Sequence, residues 1–300
     1  MAFNPLQENG IPLDRQLRTW SELNIQPVDK NASPAYTRCR IIAMNGIEVE
    51  GALFSHQFAR HTADLDLKRQ LAAVRRVEQQ QQKAVNWLLP GDSTPLETTI
   101  GYEQVAVDLT SWLAQNEPDP YFRQVLEFGL LEDFDHLYRY ANLLDMLEGK
   151  KAQELVQDLT EITPGRPTFL EHRHPFDDVR KPLDSRSADP RSLLHALTIT
   201  AAEQQTMNFY MTIGNLPLEP IARGLYLEIG QIEEQHVTQY ESMLDPNCSW
   251  AHMLVLHEYN ECYMYYSWLQ TEEVPRIKQL WETHLAMELE HLRLAVELMK

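Results

Sequence analysis

The sequence predicts an all-α protein whose C-terminal part is a four-helix bundle. Three observations support this fold class. Apolar residues recur at helical spacing over most of the chain from Asp64 onward. Proline or glycine, such as Pro90-Gly91, Gly149 and Gly214, follows the end of most of these periodic segments. After residue 190, four long helical segments follow one another with only short linkers between them.

The N-terminal segment, residues 1–62, has a mixed pattern. Residues 38–44 read as a strand, Asn45-Gly46 is a hairpin turn signal, and residues 47–50 alternate as a returning strand would. An isolated hairpin is marginally stable. We therefore expect a small β-hairpin that packs against the helices.

Residues 63–149 form a helical half with three predicted helices, 65–89, 97–115 and 121–147. Residues 150–189 are predicted to be an extended connection, because prolines such as Pro164 and Pro167 interrupt any long helix. His172 and His174 lie in this connection. We interpret them as part of a solvated loop, with metal binding as the alternative.

Residues 190–300 are predicted to form the bundle, with helices at 191–213, 220–244, 249–269 and 274–299. Pro220 and Pro275 stand in first turns, where proline is favoured. Because the linkers are short, we expect sequential helices to be antiparallel neighbours.

The first half contains a faint copy of the second. Residues 77–80 resemble 202–205, and 95–97 resemble 217–219. Asp119-Pro120 precedes Asp135 by the same interval as Asp245-Pro246 precedes Glu261. These landmarks recur at offsets of 125, 122 and 126 residues. The first half is therefore predicted to be a partial helical repeat.

Composition excludes several classes of function. The formal net charge of −18 disfavours nucleic acid as a partner, since phosphate binding requires a basic face. No apolar run approaches the roughly 20 residues of a membrane span, and we find no signal-peptide pattern, so we expect a cytoplasmic protein without membrane contact. The three cysteines form no CxxC pair, which excludes a zinc ribbon or rubredoxin-type centre within the chain.

Two Glu-x-x-His motifs carry the chemistry, Glu233-x-x-His236 and Glu288-x-x-His291. Residues i and i+3 of a helix share a face, so each motif can direct a carboxylate and an imidazole to one point. One such motif alone is typical of a solvated surface. The evidence for a site is therefore the arrangement of both motifs with further glutamates.

Glutamates on all four predicted helices lie 13 to 17 residues from the turns that sequential helices share. In an up-and-down bundle, residues equally distant from a shared turn lie at one height. The stripes around these glutamates are apolar, which places them in the core. Four buried carboxylates without counter-charge are prohibitively costly, and two divalent cations cancel them. The four are Glu203, Glu233, Glu261 and Glu288.

One glutamate on each of two helices, with Glu-x-x-His on each of two others, resembles the ferritin-like di-iron carboxylate proteins, which include ferritins, rubrerythrins and di-iron oxygenases. The resemblance covers residues 190–300. Two features depart from it: the tight turn at 245–249, and Glu258, an alternative to Glu261 one turn earlier. The resemblance implies these metal ligands: Glu203, Glu233, His236, Glu261, Glu288 and His291.

The resemblance also implies two iron ions, with manganese or a mixed Fe/Mn pair as alternatives. It implies oxidoreduction with O2 or peroxide and an external electron donor, and it is compatible with a homodimer. The other hypotheses are a ferroxidase that handles iron and a metal-free helical scaffold. In the first half, Asp133 and His136 cluster on one helix, but Asp108 and Ser111 stand where a second Glu-x-x-His is needed. That half is interpreted as a degenerate ferritin-like repeat, and metal binding there is left open.

Overall fold

The computed structural model describes residues 3–163 and 179–300. Within these residues all regular structure is helical, with a short 3-10 helix at Leu13–Arg15. The central part of the predicted connection, with His172 and His174, lies outside the described residues. The α-helices are α1 (Trp20–Leu23), α2 (Ala35–Arg60), α3 (Leu65–Asn86), α4 (Pro95–Asn116), α5 (Pro120–Glu148), α6 (Ala152–Val156), α7 (Pro190–Ile213), α8 (Pro220–Glu241), α9 (Trp250–Thr271) and α10 (Pro275–Glu297).

The predicted β-hairpin is wrong, because α2 runs through the Asn45-Gly46 turn signal. Both residues serve packing against α7 instead. The Asn45 side chain donates a hydrogen bond to Gln205. A Cβ on Gly46 would lie 2.9 Å from the Ala201 carbonyl oxygen, so the glycine permits close approach of the two helices. The turn signal is therefore a helix contact.

The seven predicted helices from residue 65 onward are confirmed, with ends that differ by a few residues. Five of them have an N-cap side chain that accepts a hydrogen bond from the first turn, whereas α8 and α10 begin with proline and have no such cap. Thr94 and Glu97 form a reciprocal capping box on α4, and Ser249 accepts a hydrogen bond from the His252 backbone N–H on α9. None of the described helices has the length and apolarity needed to cross a bilayer. The cytoplasmic location stays a prediction.

The chain divides into two compact units, and the division differs from the predicted domains. Neither the 63–149 half nor the 190–300 bundle forms a unit, because the chain passes between units at Leu89/Pro90 and at Pro246/Asn247. Unit 1 comprises Met1–Pro27, Ile47–Leu89 and Asn247–Lys300, and unit 2 comprises Val28–Gly46 and Pro90–Pro246. Each unit thus combines one helical hairpin from each half of the chain.

Each unit has a core to which four helices contribute. In unit 1 the cluster of Phe58, Leu71, Leu254 and Ala295 takes one residue each from α2, α3, α9 and α10. In unit 2 the core includes apolar residues of α4, α5, α7 and α8. The prediction assumed that helices joined by a short linker pack against each other. However, a short α8–α9 linker fixes only where the next helix starts, and complementary apolar faces select its partners.

Candidate metal centres

Two clusters of carboxylate and histidine side chains lie in the cores, one in each unit. Every member is at most 2 % exposed. We call the cluster of unit 2 the two-histidine cluster; it consists of Glu103, Asp133, His136, Glu203, Glu233 and His236. We call the cluster of unit 1 the one-histidine cluster; it consists of Glu48, Glu78, Glu258, Glu261, Glu288 and His291.

The two-histidine cluster is assembled from two helical hairpins, α4–α5 and α7–α8. Helices α5 and α8 each supply a carboxylate and a histidine three residues apart, which places both on one helix face. Helices α4 and α7 each supply a single glutamate, Glu103 and Glu203. The two hairpins therefore make equivalent contributions.

The ligand atoms of this cluster form two triads, in each of which the atoms lie within 4.8 Å of one another. Each triad combines the single glutamate and the histidine of one hairpin with the paired carboxylate of the other. His136 Nδ1 lies 2.9 Å from Glu233 Oε1, and His236 Nδ1 lies 3.5 Å from Glu203 Oε2. The triads are Glu103, His136 and Glu233, and Asp133, Glu203 and His236.

Burial disfavours the charged form of several carboxylates in this cluster. Burial raises the pKa of Glu103 and of Glu203 well above the usual range, and it raises the pKa of Asp133 to about 6. Glu103 Oε2 and both carboxylate oxygens of Glu203 make no hydrogen bond of normal geometry within the described residues. Buried oxygens that converge without donors are suited to a cation.

Groups behind the ligands hold them in place. His236 Nε2 lies 2.7 Å from Glu132 Oε2, so Nδ1 is the nitrogen that faces the cluster. Although burial lowers the pKa of His236, Glu203, Glu132 and Glu233 raise it well above its usual value. The Tyr210 hydroxyl donates a hydrogen bond to Glu103. Such outer contacts are typical of metal sites, where they orient the ligands.

The one-histidine cluster has the same plan with a different donor set. Its triads are Glu78, Glu258 and His291, and Glu48, Glu261 and Glu288. The second triad contains no histidine. At the position where α8 carries its histidine, α3 carries Gln81, whose Nε2 donates to Glu288 Oε1 at 2.5 Å. His291 Nε2 lies 2.7 Å from Gln16 Oε1, and the Tyr265 hydroxyl donates to Glu48.

The six predicted ligands are all buried and all belong to these clusters, but the structure does not bring them together in one bundle. Unit 2 contains Glu203, Glu233 and His236, and unit 1 contains Glu261, Glu288 and His291.

Glu258 and Glu261 are not alternatives, because each belongs to a different triad of the one-histidine cluster. The predicted counterpart Asp135 faces Arg139 at 3.5 Å and belongs to neither cluster. The first half supplies the remaining members instead.

Sequence reasoning missed Glu48 and Glu103, and left metal binding by Asp133 and His136 open, because it used the wrong repeat offset. Six cluster positions in the first half recur 155 residues later in the second half. Within every hairpin, the single glutamate precedes the paired carboxylate by 30 residues. The pairs are Glu48 and Glu203, Glu78 and Glu233, Gln81 and His236, Glu103 and Glu258, Asp133 and Glu288, and His136 and His291.

The secondary structure follows the same offset, since α3 and α8, and likewise α4 and α9, begin and end 155 residues apart. The structure thus replaces the predicted offsets of 122 to 126 residues. A search for Glu followed 30 residues later by Asp or Glu, with His or Gln three residues on, would have found all four hairpins.

Comparison with known proteins gives no family assignment: no family model, no curated protein and no solved structure matches this chain.

Proposed function

We propose that the two-histidine cluster is a dinuclear iron centre that carries out O2- or peroxide-dependent oxidoreduction. One observation carries this proposal. Four carboxylates and two imidazoles converge in the core of unit 2 as two equivalent triads, with several oxygens that make no hydrogen bond. The same ligand types and hairpin plan support a ferritin-like relationship, which is part of the proposal.

The donor set fits two divalent cations. Two such ions carry four positive charges and neutralise the four carboxylates of the cluster. Each triad offers one nitrogen and two oxygen donors, a mixture that suits iron and also accommodates manganese. Three donors from the protein leave coordination positions open for a small reactant. When bound, a ferrous pair supplies electrons to O2 or peroxide.

The surrounding residues fit the oxidation of an organic substrate. A cavity of about 320 Å³ in unit 2 is lined by Tyr210, Tyr226, Leu227 and Arg223, among other residues. Tyr210 lines this cavity and also donates a hydrogen bond from its hydroxyl to Glu103, so one side chain links the cavity to the cluster. Leu227 and the tyrosine rings offer apolar contacts, and Arg223 offers a positive charge. A small molecule with an apolar body and an anionic group would match this lining.

The test is metal analysis of two ligand variants with a matched control. Glu233→Ala and His236→Ala each remove one donor, so we expect each to lose about two metal ions per chain while helical circular dichroism is retained. Glu234→Ala is the control, because Glu234 is the exposed neighbour of Glu233 on α8. Unchanged metal content in both ligand variants would contradict the assignment.

Further readouts separate the other functions. Wild-type protein that stays metal-free after anaerobic ferrous loading would be a scaffold. Accumulation of many ferric ions per chain after exposure to air would indicate iron storage. Binding of a small molecule with an apolar body and an anionic group, lost in Arg223→Ala with metal content unchanged, would support an organic substrate in the cavity.

A further inference from the structure

The two clusters differ at two positions that decide their donor atoms. Gln81 stands in unit 1 where His236 stands in unit 2, and Glu261 stands where unit 2 has Ala106. The one-histidine cluster therefore has one imidazole fewer and one carboxylate more than the two-histidine cluster. It contains five carboxylates and one histidine.

The oxygens of the one-histidine cluster are buried and lack donors. Glu48 Oε2, Glu78 Oε2, Glu258 Oε2 and Glu261 Oε2 make no hydrogen bond of normal geometry within the described residues. All four side chains are at most 2 % exposed. A merely structural polar network would satisfy these atoms with N–H or O–H donors, so their convergence points to a bound cation.

The backbone makes room for the additional carboxylate. A Cβ on Gly51 would lie 2.5 Å from Glu261 Oε1, so the carboxylate occupies space that any other residue at position 51 would fill. In unit 2 the corresponding residues are Thr206 and Ala106. Relative to unit 2, unit 1 thus lacks a side chain at Gly51 on α2 and has a longer one at Glu261 on α9. The space left at Gly51 accommodates the Glu261 carboxylate.

The change of donors alters the metal that is favoured. The triad of Glu48, Glu261 and Glu288 offers only carboxylate oxygens, and Gln81 donates to Glu288 rather than offering a ring nitrogen. Carboxylates suit manganese and magnesium, whereas imidazole favours iron and the later metals. The all-carboxylate triad therefore loses the nitrogen donor that would favour iron.

We propose that the one-histidine cluster is a second dinuclear metal centre whose all-carboxylate triad, Glu48, Glu261 and Glu288, binds Mn²⁺ more favourably relative to Fe²⁺ than either triad of the two-histidine cluster does. The existence of this second centre stands on residues of unit 1 alone, whereas the comparison of its selectivity rests on the centre proposed for unit 2. It predicts four metal positions per chain, two in each unit.

The first experiment counts Mn²⁺ ions bound by the full-length apoprotein, from the loss of the free-ion electron paramagnetic resonance signal during titration. Wild type is expected to bind about four ions. Glu258→Gln/Glu261→Gln and Glu203→Gln/Glu233→Gln are each expected to bind about two. Glu282→Gln, an exposed carboxylate on α10, is the control and should still bind four.

The Glu203→Gln/Glu233→Gln variant isolates the one-histidine cluster. If it binds no Mn²⁺ although its helical circular dichroism matches wild type, the second centre is overturned, whatever happens in unit 2. If it keeps two ions while Glu258→Gln/Glu261→Gln unfolds, the second centre is still supported. If Glu203→Gln/Glu233→Gln binds as many Mn²⁺ ions as the wild type, the centre proposed for unit 2 is contradicted, and this outcome is distinct from loss of the second centre.

The second experiment tests selectivity in the same isolating background. Adding Gln81→His and Glu261→Ala gives unit 1 the donor types of the two-histidine cluster. Under anaerobic competition between Mn²⁺ and Fe²⁺, we expect the bound Mn/Fe ratio to fall about tenfold. An unchanged or increased ratio in a protein that still binds two ions would overturn the proposed selectivity.

Discussion

The two units place their metal-ligand candidates on the same helical plan, yet they present different donors. Single glutamates and paired residues occur at the same spacing in both units, and the two sets are related by one offset of 155 residues. The helices therefore determine where a donor is placed. Two substitutions, at Gln81 and Glu261, determine which atoms meet there.

The groups behind the ligands differ as well. In unit 2 a carboxylate, that of Glu132, faces His236 Nε2, whereas in unit 1 the amide oxygen of Gln16 faces His291 Nε2. An anionic partner makes an imidazole a stronger electron donor than a neutral partner does. The backing groups therefore differ between two histidines that occupy different positions of the shared helical plan, because the offset of 155 residues pairs His291 with His136.

The largest expected effect comes from removing metal from both units. Each occupied position stabilises the folded state by about 4 kcal/mol at a free metal concentration roughly 1,000 times Kd. Chelation should therefore lower the thermal midpoint of the wild type strongly. Glu203→Gln/Glu233→Gln should lose less on chelation, since only unit 1 then holds metal. Differential scanning calorimetry with and without chelator measures this difference.

The chelated protein should also become less stable as pH rises. Burial raises the pKa of Glu78 to about 7 and that of Asp133 to about 6. Because these folded-state values exceed the unfolded ones, their contribution is complete at low pH and is lost as pH rises through 6 to 7. By pH 8 the lost contribution of each of these two carboxyl groups lowers the free energy of unfolding by on the order of 3 kcal/mol.

Metal-loaded protein should not show this loss, because bound cations replace the protons. Glu78→Gln and Asp133→Asn should each flatten the pH dependence of the chelated protein. A chelated wild type whose free energy of unfolding is constant from pH 5 to pH 8 would contradict the buried, uncompensated carboxylates in both units.

Much of the fold could be predicted from sequence because helix ends carry local signals. Prolines at Pro220 and Pro275 and caps at Thr94 and Ser249 mark boundaries that the structure reproduces within a few residues. The hairpin at Asn45-Gly46 could not be excluded locally. The dipeptide is a strong turn signal, and only the approach of α7 shows that its small size serves helix packing.

The chemistry was easier to predict than the grouping of helices. Buried glutamates on apolar stripes identified members of both clusters, since burial of a charge needs a local reason. Which hairpins pair, however, depends on complementary faces far apart in sequence. Glu103 became visible as a ligand candidate, and Asp133 gained partners from another hairpin, only when α4 and α5 were seen beside α7 and α8.

A smaller effect should come from the tyrosines that support a ligand in each unit. Tyr210 donates to Glu103 in unit 2, and Tyr265 donates to Glu48 in unit 1. Tyr210→Phe should weaken metal binding about tenfold in unit 2 only, and Tyr265→Phe should do so in unit 1 only. Isothermal titration of the apoprotein in the two isolating backgrounds measures each affinity.

Tyr240→Phe is the matched control, because this buried tyrosine of unit 2 makes no hydrogen bond through its hydroxyl within the described residues. Its affinity should stay close to that of wild type. Equal losses in both units from either single substitution would show that the two centres are not independent.

The smallest expected effect is the loss of stability on removing a helix cap at equivalent positions of the two units, Thr94 on α4 and Ser249 on α9. Thr94 accepts from the Glu97 backbone N–H at 3.1 Å and also donates to Glu148 at 3.0 Å, whereas Ser249 makes a single cap bond at 3.2 Å. Thr94→Ala should therefore cost somewhat more than Ser249→Ala, with each near 1 kcal/mol. Thr94→Ser should restore stability.

Amide hydrogen exchange should show faster opening of α4 only for Thr94→Ala and of α9 only for Ser249→Ala, because a cap acts on its own helix. Loss of protection throughout both units from either change would mean that the units open as one cooperative structure. Metal binding in one unit would then not be independent of the other.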